Sequence, residues 1–188
     1  MLPARRALRK ALPALLFFTD PARTPEPEMI ASRLPSGSAI VYRAFGAADA
    51  EPRARRLLAI ARSRGLKLLI GQDVGLARKI GADGVHLPER LAHRAASLRR
   101  AHPGWIITAA AHSLRAARLI GADAVVISVA LPSRSLSAGP ALGPVRLAAR
   151  VRSAGRHAYA LGGINNKTAR RLLGAGLIGL AAVEGFEP

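Results

Sequence analysis

Apolar and polar positions along this chain fall into short blocks that alternate in kind. Runs rich in β-branched and small apolar residues read as strands buried on both faces at Ala14–Thr19, Ala39–Tyr42, Lys67–Ile70, Gly84–Leu87, Trp105–Ala110, Ala124–Val129, His157–Leu161 and Ile178–Val183. Between them, apolar residues recur at helical spacing over Pro52–Ser63, Val74–Ile80, Leu91–Arg100, Leu114–Ile120, Pro144–Arg152 and Asn166–Leu173. These blocks tend to end at glycine (Gly65, Gly81, Gly104, Gly121, Gly155, Gly174), where a residue of positive φ closes the last helical turn. Ala4–Leu12 reads as a basic, amphipathic lead-in helix.

A weak internal repeat supports the alternation: IGADGVHL (Ile80–Leu87) recurs as IGADAVVI (Ile120–Ile127), each a helix end running into a buried strand. Strict β/α alternation implies a parallel sheet, and eight strands without a central reversal favour closure into a single (β/α)₈ TIM barrel over residues 1–188. An open, doubly wound sheet is the alternative. The chain stops soon after the eighth strand, so the usual last helix is expected to be missing or replaced. The basic N-terminal helix, or a second copy in a homodimer, would then cover that strand.

Composition narrows the class. A chain of 188 residues suits one domain, and its hydrophobic half contains few aromatics, so Ala, Leu, Val and Ile must build the core. With no cysteine, disulfides, zinc–thiolate sites and thiol nucleophiles are excluded, and a cytoplasmic home is expected. The basic start followed by Ala14–Phe18 only partly resembles a secretory signal, because Thr19, Asp20 and Pro21 stand where small cleavage-site residues belong. No apolar run approaches the roughly 20 residues that span a bilayer. The formal net charge of +18 raises the question of nucleic acid. Yet the arginines lie on separate helical patterns (Arg53–Arg64, Arg94–Arg100, Arg146–Arg152), without interleaved aromatics as stacking platforms. A nucleic-acid partner is therefore not the expectation.

In such barrels chemistry sits at the C-terminal ends of the strands. Those positions hold Tyr42, Arg43 and Phe45; Gln72 and Asp73; His86, Glu89 and Arg90; His112 and Ser113; Ser133, Arg134 and Ser135; and Gly162–Asn165. In LGGINNKTA the two glycines allow close backbone approach, and Asn165 or Asn166 can cap a following helix whose amides would hold a phosphate. The end of strand eight (Ala182, Val183) completes that site, since loops after strands seven and eight often share a phosphate. A tight turn is the alternative reading of the glycines. PSRSLSAGPALG reads either as a lid carrying Arg134 or as a plain connection.

DVGLARKIGADGVHLPE (Asp73–Glu89), AAHSLRAARLIGADAVVIS (Ala110–Ser128) and ALGGI (Ala160–Ile164), in this order, resemble the thiamine phosphate synthases and the related thiazole tautomerases. The resemblance implies a transferase: a hydroxymethylpyrimidine diphosphate loses pyrophosphate, with magnesium assisting, and a thiazole phosphate nitrogen captures the cation. It matches Arg43, Ser133 and Ser135 to catalytic positions and Gly162 and Gly163 to the thiazole-phosphate loop; by their places at strand ends and in the adjoining loops, Arg134 joins the catalytic candidates, Ile164, Ala182 and Val183 the phosphate site, and Tyr42, Gln72, His86 and His112 the substrate contacts.

The departures are equally specific. Phe45 and Leu136 stand where the family has lysines, Gly71 and Gln72 replace an Asn–Asp pair, Arg90 falls at a second acidic ligand, and Val129 at the tautomerase histidine. Asp73 and Glu89, each beside a lost ligand, are the candidates for a displaced magnesium site; alternatively Asp73 caps its helix and Glu89 pairs with Arg90. Three functions stay open: a thiamine phosphate synthase-like transferase; a non-catalytic or changed-substrate barrel that binds a phosphorylated thiazole or thiamine compound; and a basic nucleic-acid-binding protein.

Overall fold

The structure, a computed structural model, describes residues 11–185 except 120, 134, 136 and 137. Eight strands occur where the apolar runs predict them: β1 (Leu15–Phe18), β2 (Ala39–Tyr42), β3 (Lys67–Gly71), β4 (Gly84–Leu87), β5 (Ile106–Ala111), β6 (Ala124–Ser128), β7 (Ala158–Leu161) and β8 (Gly179–Ala182). They are parallel and close into a barrel in sequence order, with β8 beside β1 through Leu15↔Leu180 and Leu16↔Ala181. Alternation sorts each strand between two cores. Leu16, Phe18, Val41, Leu69, Val126, Tyr159 and Ala181 fill the interior. Phe17, Ile40, Leu68, Ile70, Val85, Ile107 and Ile127 pack outward with the helices. Both faces are buried, which is why the strands read as continuous apolar runs.

The helices are α1 (Pro27–Ala31), α2 (Ala50–Arg64), α3 (Val74–Ile80), α4 (Ala95–Ala101), α5 (Leu114–Leu119) and α6 (Gly143–Ala154). Several expectations are corrected. The periodic stretch Leu91–Arg100 divides into a 3₁₀ segment, Glu89–Arg94, followed by α4. Asn166–Leu173 is not an α-helix; only Ala169–Leu172 winds, as a 3₁₀ turn. The short α1, with Pro27 at its first turn, has too few residues to show a period. Gly65, Gly81 and Gly155 close α2, α3 and α6 in the left-handed conformation, whereas α4 ends on His102 and Gly104 and Gly121 lack positive φ. Of the expected lead-in helix, Ala11 and Leu12 are not helical and the rest lies outside the described residues.

The repeated Gly-Ala-Asp motif has a structural task at the foot of the barrel. Asp83 accepts the Leu68 amide (2.9 Å) and pairs with Lys67 (2.9 Å), while Asp123 accepts the Ile107 amide (2.8 Å). Each carboxylate thus ties the start of one strand to the one before it. Gly84 follows because a Cβ there would lie 1.9 Å from the Ile106 carbonyl oxygen. On the far side of the same end, the Tyr159 hydroxyl donates to the Pro13 carbonyl (2.6 Å), holding β7 to the entry of β1.

Charge is unevenly spread. Around α1–α3 cations meet acids: Glu28 with Arg53 and Arg56, Glu51 with Arg55 and Lys79. From Arg90 to Val183, Asp123 is the single acidic residue among many arginines. There Arg118, Arg146, Arg150 and Arg156 donate to backbone carbonyls instead.

Candidate active site

Two adjoining clefts open at the C-terminal ends of the strands. The larger, about 400 Å³, lies over the barrel mouth. Its walls are Phe18, Phe45, Ala110, Val126 and Leu161, and its polar edge is Arg43, Gln72, His86, Arg90, His112 and Ser128. The smaller, about 180 Å³, lies over β7 and β8 and is lined by Gly162–Asn165, Thr168, Ala182–Gly185, Arg23, Pro132 and Ser133. Leu161, the last residue of β7, lines both.

In the larger cleft Arg43 leaves β2 and is anchored at its base. Its Nε donates to the Thr19 carbonyl (2.7 Å) and one terminal nitrogen reaches Asp20 (3.3 Å), while the guanidinium lies 5.1 Å from the centre of the Phe45 ring. Burial lowers its pKa against the opposing pull of Asp20. Phe45 is 64% exposed, an apolar flap over the cleft where the family pattern has a cation. His86 is buried on β4 with Nδ1 3.0 Å from the Thr108 hydroxyl and its ring edge-on to Phe18. Burial, helped by Arg43 and His112, pushes its pKa down to about 3, so the imidazole is neutral at physiological pH. Ser128 lies 3.2 Å from His112 Nδ1. Gln72 sits at φ +52 and accepts from Arg90 at 2.6 Å.

The candidate metal ligands are differently employed. Asp73 caps α3, accepting the Leu76 amide at 2.8 Å. Glu89 does not pair with Arg90; it accepts the backbone amide of His112 with one oxygen and the Ser113 hydroxyl with the other (3.4 Å), bracing the entry to α5. Neither carboxylate lines the larger cleft. Among the described residues no three His, Asp or Glu side chains converge. A magnesium ion bridging to substrate phosphates is held by one or two carboxylates, and neither candidate lines the cleft to supply one, so this lining does not fit it.

The smaller cleft brings together Gly162, Gly163, Ile164, Ala182 and Val183, with Ser133 beside them, but by a construction other than a helix N-terminus. Gly163, at φ +67, is required by packing: a Cβ would lie 2.3 Å from the Pro132 carbonyl oxygen and 2.6 Å from that of Leu131. The loop after β7 is thereby pressed onto the loop after β6, joined by the Leu131 amide donating to Gly162 (3.0 Å). The Asn165 carboxamide accepts the amides of Lys167 and Thr168, and Thr168 Oγ1 donates to the Gly163 carbonyl. With no α-helix following, helix-dipole support for a phosphate is absent here; small residues and loop backbone shape the cleft.

Other expectations shift. Tyr42 faces the outer core and lines neither cleft, because alternation along β2 turns Val41 inward instead. Ser133 lines the smaller cleft, Ser135 donates its amide to Ser133 Oγ (3.3 Å), and Arg134 lies outside the described residues. Three participants went unread. Arg23, after β1, forms a two-pronged pair with Glu184, after β8 (2.9 and 2.8 Å), at the rim of the smaller cleft. Ser128 ends β6 within the larger one. The signal available for Arg23 and Glu184 was their place just beyond the first and last strands.

The thiamine monophosphate synthase family model matches residues 15–186. A thiamine-phosphate synthase of Chromobacterium violaceum is 34% identical over 71% of this chain and 66% of its own length, so just under two thirds of that relative is matched. One from Xylella fastidiosa is 30% identical over 95% of this chain and 81% of that protein. Among solved structures, a thiamine phosphate pyrophosphorylase from Pyrococcus furiosus aligns with a TM-score of 0.75 at 27% identity, covering 92% of this chain and 86% of that one. An HpcH/HpaI aldolase from Desulfitobacterium hafniense, at 14% identity and TM-score 0.63, shares the fold alone. An unbroken match from the first strand past the last, on a closed eight-stranded barrel with paired clefts at its mouth, makes this chain a member of the thiamine monophosphate synthase family.

Proposed function

We propose that the protein joins a hydroxymethylpyrimidine diphosphate to a thiazole phosphate, releasing diphosphate. The observation that carries this reading is the meeting of the two clefts at Leu161. A flat heteroaromatic ring suits the apolar larger cleft, where Gln72, the neutral His86 and Ser128 offer hydrogen bonds to ring nitrogens and amino groups. A monophosphate suits the smaller one. Bound together, the two substrates would place their reacting atoms near Leu161, so that little of the barrier is spent on bringing them into line. In the reaction the bond from the pyrimidine's methylene carbon to the diphosphate oxygen breaks, its electron pair leaving with oxygen. The thiazole nitrogen's lone pair then forms the new C–N bond. No proton moves, which suits a site whose central histidine does not titrate near neutrality.

The test is formation of thiamine phosphate from the two substrates, with Val183→Asp as the probe of the smaller cleft. Val183 is half-buried just beyond β8, so the substitution sets a carboxylate against the incoming phosphate without filling the core. It is expected to raise KM for the thiazole phosphate by tenfold or more, in line with a charge repulsion of about 1.4 kcal/mol, while the thermal midpoint holds. No product, together with no calorimetric binding of thiazole phosphate, would sink the reading. A second reading, binding without turnover, is favoured by Phe45 and Gln72 standing where cation and carboxylate are expected; it requires thiazole phosphate to bind while no product forms. No helix among the described residues is long and apolar enough to cross a membrane. A cysteine-free chain acting on phosphorylated metabolites suits the cytoplasm.

A further inference from the structure

Resting on the diphosphate-releasing reading, we propose that Arg90 and Arg43 hold the diphosphate by direct guanidinium contacts, in place of a divalent cation. Both line the larger cleft, and among the described residues no carboxylate lines it with them. The two acids nearest in sequence accept backbone amides at the entries to α3 and α5. A cleft with two fixed positive charges and no carboxylate repels a metal ion and attracts a polyanion. Arg90 and Arg43, the latter partly balanced by Asp20, set positive charge where negative charge develops on the departing oxygen, without a metal ion.

The arrangement is also oriented. Arg90 donates one terminal N–H to Gln72 Oε1 at 2.6 Å, and Arg43 is pinned through Nε and one terminal nitrogen to Thr19 and Asp20. A guanidinium has five N–H donors in a planar fork, so each arginine keeps donors for phosphate oxygens after its anchor is satisfied. Gln72 therefore acts as a positioning residue. It replaces an acid with an amide that steers an arginine, and Arg90 replaces an acid with the arginine that is steered. The two departures from the family pattern form one device.

Calorimetric titration of the full chain with inorganic pyrophosphate, in chelator and again in excess magnesium, tests it. The expected result is equal affinity under both conditions, weakened tenfold or more by Arg90→Ala and partly restored by Arg90→Lys. Binding that requires magnesium overturns the proposal, and this arm needs no variant. Turnover separates the two readings. Thiamine phosphate formation that survives chelation and falls in Arg90→Ala supports both; formation that stops with chelator keeps the transferase and overturns the clamp. Chelator-resistant pyrophosphate binding, lost in Arg90→Ala and without any product, keeps the clamp and overturns the transferase.

Discussion

His86 shows how much one buried side chain can report. Its pKa falls from 6.5 to about 3 because the folded protein disfavours the imidazolium. Between those values the unfolded chain takes up a proton that the folded one does not, so stability declines as pH falls, by about 1.4 kcal/mol per unit across the window. A melting series from pH 7 to 4 is expected to show a steeper loss for the parent than for His86→Gln; parallel curves would mean that the folded histidine is protonated. Most residues around the clefts were legible one at a time, since Arg43, Gln72, His86, His112 and the paired glycines all stand at strand ends. Their partnerships were not. That Glu89 would reach the His112 amide, or Arg90 the Gln72 side chain, depends on how neighbouring loops lie across each other, and linear spacing carries no trace of that. Tyr42 failed for a simpler reason: a strand end offers alternate faces, and only the inward one sees the cleft.

At the scale of elements, the strands were plain in the sequence because burial on both sides makes them unbroken apolar runs. Helix extent was less legible where turns compete: α4 begins four residues late behind a 3₁₀ segment that Pro88 and Glu89 open. The Asn165 and Thr168 side chains likewise tie up backbone that a helix would have used. Asp73 makes the distinction between scaffold and site testable. As the cap of α3 it is expected to contribute about 1 kcal/mol. Asp73→Ala should lower the thermal midpoint by a few degrees and leave pyrophosphate affinity in magnesium unchanged. A loss of magnesium-linked affinity at unchanged stability would instead make Asp73 a metal ligand.

Over the whole molecule, the stretch from Arg90 to Val183 is strongly basic, and both substrates proposed for the clefts are anions. Such a field raises the local concentration of phosphorylated ligands and speeds their arrival. Initial rates at limiting substrate should therefore fall as ionic strength rises from 20 to roughly 300 mM, where the screening length shortens to a few ångströms, while kcat stays nearly constant. A salt-independent kcat/KM would mean that the charge serves some other purpose. The net charge and the nearly acid-free stretch from Arg90 to Val183 both stand in the sequence; which backbone carbonyls those arginines would reach does not.

The seam between β8 and β1 has a consequence for how the protein is made. Tyr159 and Pro13, which meet there, are 146 residues apart, and β1 has its second neighbour only once Gly179–Ala182 exists. On the ribosome the nascent chain therefore carries an apolar strand with one bare edge until Gly179–Ala182 has emerged. Closure waits for the last strand and joins it to the first, a contact of large sequence separation and so of the slowest kind to find. Until then the growing barrel is an open, sticky sheet, and the interval before its last strand emerges is when it most needs protection from its neighbours.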